Sequence, residues 1–79
     1  MITSEQIKAA RAILRWKAKD LSEKSGVSLA TIQRMEQLDG AENTLMKNVI
    51  AVQKTLENAG VEFIPSNGGG VGVRLRNPD

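Results

Sequence analysis

Residues Ser28 to Arg34 read SLATIQR and hold the side chains whose chemistry best suits the edge of a base pair. An arginine such as Arg34 can fork to guanine O6 and N7. A glutamine such as Gln33 can pair with adenine, and Leu29 or Ala30 can lie against a thymine methyl. Lys17 and Lys19 precede this stretch and suit phosphate as flexible point charges. Other chemistry lacks its reagents. The sequence has no histidine and no cysteine, which removes the commonest general base, the commonest metal ligand and the thiolate nucleophile. No carboxylate pair marks an acid–base site. The cluster Gly68-Gly69-Gly70 is followed by neither a helix nor the Lys-Ser/Thr of a phosphate loop. No catalytic residue, metal or cofactor is expected.

The elements that must position these side chains can be read from spacing. Ala18 to Leu38 reads as two short helices joined by a tight turn, with Leu21, Val27, Ile32 and Met35 facing a common core. Ser25-Gly26-Val27 breaks the first, because Gly26 takes a left-handed conformation at no steric cost. Ser28 is a good N-cap for the second helix, Ser28 to Leu38. With Ile32 and Met35 inward, Leu29, Ala30, Gln33 and Arg34 remain on or near the outer side, and Ser28 and Thr31 flank them. A helix, a short turn containing Gly and a second helix form a helix-turn-helix pattern.

Upstream, Thr3-Ser4-Glu5-Gln6 fits a capping box, and Ile7, Ala10 and Leu14 recur on one face of the helix that it opens. Arg11 lies beside that face and needs an anionic partner there, since an unpaired charge near a core costs several kcal/mol. Trp16 falls at the corner between the first helix and a second over Lys17 to Lys24, and its expected role is packing. Downstream, residues 39–43 form a polar connector with Gly40 ending the third helix. A long helix from Thr44 to Ala59, capped by Asn43 or Thr44, then carries Leu45, Val49, Val52 and Leu56 on one face. Val61 to Ile64 and Val71 to Arg76 read as strands joined by the flexible turn Pro65 to Gly70, and Asn77-Pro78-Asp79 as a frayed end. The expected division is a helical unit over 1–60 and a C-terminal β-hairpin extension over 61–79.

The chain has 79 residues, one small domain with a thin stability margin for which oligomerisation is a common supplement. Residues 1–38 carry seven basic and four acidic side chains, and the remainder four and five. The positive excess therefore accompanies the helix-turn-helix half, where a polyanion would be met. No apolar run approaches the roughly 20 residues of a membrane span, and the N-terminus lacks a signal-peptide layout. A soluble, cytoplasmic chain without membrane partners is expected.

The pattern Ser22, Gly26, Val27, Ile32 and Glu36 resembles the Xre family of phage-repressor-like regulators. The ending AGVEFIPSNGGGVGVRLR, Ala59 to Arg76, resembles the tail of many short bacterial regulators of that family. Together the two stretches extend the resemblance over nearly the whole chain. It implies a mainly α fold, a four-helix phage-repressor-like domain followed by the hairpin. It also implies base-facing positions at Leu29, Ala30 and Arg34, with Gln33 beside them, and phosphate contacts from Lys17, Lys19, Ser28 and Thr31. The ion pair Arg11–Glu36 is common in similar proteins and structural in role. The sequence departs from the family at Ala18, where Gln is usual. The implied function is sequence-specific binding of double-stranded DNA, as a homodimer on a palindromic operator, to regulate transcription. The alternative is a protein-binding module on the same scaffold, an antiactivator or antitoxin-like partner of another regulator. Ala18, the apolar Leu29 and the modest net charge of +2 keep this second reading alive. In the dimeric reading, Met46, Ile50, Phe63, Val71, Val73 and Leu75 await burial at a two-fold interface formed by the hairpin and the long helix.

Overall fold

The computed structural model describes residues 1–76, so the expected fraying of Asn77-Pro78-Asp79 lies outside the described residues. The chain forms α1 (Ser4–Leu14), α2 (Ala18–Ser25), α3 (Leu29–Met35) and α4 (Met46–Asn58), followed by β1 (Val61–Ile64) and β2 (Gly72–Leu75). Helices account for roughly half of it. None is long and apolar enough, among the described residues, to cross a membrane.

Each helix buries one stripe against a shared centre. Ile7 and Ala10 of α1, Leu21 of α2, Ile32 and Met35 of α3, and Val49, Val52 and Leu56 of α4 are all buried, and Val61 of β1 joins them. The capping box at α1 forms as expected. Thr3 Oγ1 accepts from the Gln6 amide at 3.1 Å, and Gln6 Oε1 accepts from the Thr3 amide at 2.9 Å. Gln6 does more than cap. Its Nε2 donates to the carbonyls of Ile64 and Gly72 at 3.1 and 2.9 Å, joining the start of α1 to the last paired residues of the hairpin.

The hairpin is antiparallel, with Val61 opposite Leu75 and Phe63 opposite Val73. Period-2 alternation turns Val61, Phe63 and Val73 toward the helices and leaves Glu62 and Arg74 outward, paired at 2.9 Å. Hydrogen bonding to Arg74 holds the Glu62 carboxyl below its ordinary pKa. Phe63 and Val73, expected to await a partner, are half-buried against the chain's own core, whereas Val71 and Leu75 stay exposed. A two-stranded hairpin gains its stability in this way, from packing on helices.

Four boundaries differ from expectation. The second helix starts at Ala18, with Lys17 as its cap and the Asp20 carboxylate accepting from the Lys17 amide at 2.8 Å. The third helix ends at Met35 and not at Leu38, because Asp39 turns left-handed at φ +59° and Gly40 folds back over the helix end. Gly40 is therefore no simple stop signal. A Cβ there would collide with the Arg34 carbonyl oxygen and lie 2.9 Å from that of Gln37. The fourth helix starts at Met46, without a side-chain cap. Asn43 and Thr44 instead donate to the carbonyls of Asp39 and Gly40, stabilising the connector. Leu45, expected in the core, is 66% exposed, since the helix begins one residue after it. The second strand, finally, is confined to Gly72–Leu75.

Gly40→Ala should lower stability by about 1–3 kcal/mol through overpacking against fixed backbone. Gly26→Ala, where a Cβ meets open space but φ is +76°, should cost about 1–2 kcal/mol from left-handed strain alone. Urea denaturation of both variants tests the assignment. A Gly40→Ala protein as stable as the parent would show that the close approach relaxes freely.

Candidate nucleic-acid interface

The turn between α2 and α3 is fastened from both sides. Ser22 Oγ donates to the Val27 carbonyl at 2.6 Å, Ser25 Oγ accepts from the Val27 amide at 3.2 Å, and Gly26 is left-handed. Val27 itself is buried. Only a small polar side chain at position 22 can reach the turn carbonyl without pushing the helices apart. Ser28 then caps α3, its Oγ accepting from the Thr31 amide at 3.2 Å.

A helix of seven residues fixed at its start also has to be fixed at its end. Glu36, the residue after α3, receives Arg11 of α1 in a two-pronged contact: Nε to Oε2 at 2.8 Å and Nη2 to Oε1 at 2.7 Å. Arg11 Nη1 donates in addition to the Trp16 carbonyl at 3.0 Å. The Arg11 side chain is 24% exposed and that of Glu36 11%. Hydrogen bonding to Glu36 raises the Arg11 pKa further above its already high ordinary value, against the opposing effect of burial.

The corner that returns Trp16 to Arg11 depends on Arg15, which closes α1 in the left-handed region at φ +58°. Neither Gly nor Asn marks this position, so no composition signal announces the corner. Trp16 is half-buried against the core, and Lys24 Nζ lies 5.2 Å from its ring centre, within cation–π range.

On this frame most of the residues singled out for recognition are exposed. Ile32 and Met35 point inward and are fully buried, while Leu29, Ala30, Gln33 and Arg34 are exposed. Leu29 keeps 38% of its surface in solvent. Ser28 is exposed and Thr31 half-buried, and their hydroxyls bond each other at 2.9 Å. Lys17 and Lys19 are exposed at the start of α2, while Ala18 between them packs against the core. The site is thus an exposed surface of donors, methyls and cations. Among the described residues no group of acidic side chains could hold a metal, and no buried side-chain polar atom lacks a partner.

Two features of this frame escape a reading of residue types: the Ser22 bond to the turn carbonyl and the approach of Gly40 to the end of α3. Both are long-range or backbone contacts. No family model matches the sequence, and no curated protein matches it.

Replacing Arg11 by Met or Glu36 by Leu should each destabilise the fold by about 3 kcal/mol, the lower end of the range for breaking a buried pair, because water reaches the guanidinium. The double variant Arg11→Met/Glu36→Leu should regain much of the loss. Strictly additive losses in a denaturation double-mutant cycle would contradict the coupling.

Proposed function

We propose that this chain is a sequence-specific double-stranded DNA-binding regulator of transcription with a phage-repressor-like helix-turn-helix, α2 and α3, in which α3 reads the major groove. One observation carries the reading. The short α3 buries only Ile32 and Met35 and leaves Leu29, Ala30, Gln33 and Arg34 exposed, while α2, which packs on α3, exposes Lys17 and Lys19 at its start. Arg34 takes guanine, Gln33 adenine, and Leu29 and Ala30 the thymine methyl. Lys17 and Lys19 hold phosphates and fix the register.

Arg34→Ala should weaken specific binding by about 1–3 kcal/mol per half-site and relax preference at one base pair. Lys17→Ala should weaken binding to all duplexes alike and flatten the salt dependence by about one ion per bound subunit. A duplex selected from a random library and titrated over a salt series supplies both readouts. If Arg34→Ala retains affinity and preference with its helices intact by circular dichroism, the groove assignment is wrong. Binding to another protein that is tight and insensitive to salt, with no duplex bound, would favour the protein-binding module, for which the exposed Leu29 is the supporting feature.

The proposed active species is a homodimer on a palindromic operator, since two copies double a small set of contacts at half-sites one helical turn apart. Met46, Ile50, Val71 and Leu75 are apolar and exposed, and a hairpin has two open edges. The hairpin packs on α1 and α4, and α3 chiefly on α2, so an interface on the hairpin and α4 leaves α3 free. The intact chain should sediment as a dimer at tens of micromolar, and Ile50→Glu should shift it to monomer while keeping its helices by circular dichroism. A monomeric parent protein at that concentration excludes this assembly.

A further inference from the structure

Two of the hydroxyls assigned above to phosphate are already engaged with each other and with the side chain that the proposed function assigns to guanine. Ser28 Oγ accepts from the Thr31 amide at 3.2 Å and donates to Thr31 Oγ1 at 2.9 Å. Thr31 Oγ1 also accepts from Arg34 Nη2 at 3.4 Å. The three residues form a chain along nearly two turns of α3, from its N-cap through Thr31 to the arginine three residues further on. The main chain beneath Arg34 is fixed as well. Its carbonyl accepts from the amides of Glu36 and Gln37 and is covered by Gly40, and Glu36 is held by Arg11.

We propose that Thr31 is a positioning residue: its hydroxyl oxygen tethers the Arg34 guanidinium, so that α3 offers a guanine edge one preset fork. An exposed arginine otherwise loses rotamer freedom when it binds, and a side chain already held in place loses less. The tether uses one of the five guanidinium N–H donors, and the four that remain suffice for guanine O6 and N7. Threonine suits the position because its β-branching limits χ1 in a helix to two rotamers, which keeps Oγ1 near both neighbours. Oγ1 accepts both bonds, which occupies its two lone pairs and directs them within α3; specificity is the contribution assigned to Thr31.

This inference rests on the DNA-binding reading, and its test separates the two. The parent chain, Thr31→Val, Thr31→Ser and Arg34→Lys are each checked for intact helices by circular dichroism. They are then titrated with a duplex selected by the parent from a random library and with its single-base variants, over a salt series. Side-chain ¹⁵N relaxation of Arg34 Nε is measured on the free proteins. Thr31→Val should lose about fivefold or more of the preference at one base pair, the same pair that Arg34→Lys relaxes. Its salt dependence should equal the parent's, and Arg34 Nε should become more mobile. Thr31→Ser should restore both preference and order.

The inference is overturned if Arg34 Nε is equally mobile in the parent and in Thr31→Val. It is overturned too if Thr31→Val keeps the preference while weakening binding to the selected duplex and all its variants alike, since Thr31 would then be a phosphate ligand. If the parent binds no duplex in a salt-dependent way, the DNA-binding reading itself fails, and the inference with it, whatever the relaxation data show.

Discussion

The bond network of Arg11 is the constraint on which the other contacts depend. A single guanidinium reaches the carboxylate after α3 and the carbonyl of Trp16 at the α1–α2 corner, so the end of α1, the corner after it and the end of α3 meet at one planar group. An arginine suits this role because its donors form a rigid fork matching a carboxylate. Isolated, a helix as short as α3 would not persist in water. It is held by a cap at one end, this bridge and Gly40 at the other, and two buried side chains between them.

Shortness then becomes useful. Because α3 needs only Ile32 and Met35 for anchorage, most of its remaining side chains are free to vary without loss of the fold. The hairpin has a different relation to the core. Val61 is fully buried, and the Gln6 amide bonds carbonyls on both strands, so β1 and β2 complete the helical core that α1 and α4 leave open on one side. Small domains bury a limited fraction of their surface, and a closing element of this kind is one way to extend a core.

Much of the fold was legible in the sequence, for identifiable reasons. The capping box at Thr3 and Gln6, the cap at Ser28, the left-handed Gly26 and the alternation of the strands are local signals, each with its own chemistry. The Arg11–Glu36 pair followed from a charge beside an apolar face together with the family pattern. Errors gathered where a local signal had two meanings. Gly40 reads as a helix stop but serves a close approach, and Asn43 and Thr44 read as caps but bind turn carbonyls. Leu45 continues the apolar spacing of α4, yet it precedes the first helical turn and faces solvent. The exposed site residues were legible as whatever the buried stripe leaves over. Their mutual bonds were not, because spacing says which side chains are neighbours on a helix and nothing about which of them bond.

Charge placement and assembly are linked by the same economy. With Lys17, Lys19 and Arg34 as its cations, one copy of the proposed reading surface neutralises few phosphates. Affinity for duplex rises with the number of phosphates neutralised and falls steeply with salt. A small interface of this kind therefore discriminates by the geometry of a few fixed side chains, and gains strength by repeating them through symmetry. A longer, more basic helix would bind more tightly, but a growing share of that affinity would be common to every sequence. The rigid mounting of α3 and the two-fold assembly proposed for the chain thus answer the same physical limit. In the proposed regulator the first would raise selectivity at each half-site, and the second would multiply the modest affinity that such selectivity leaves.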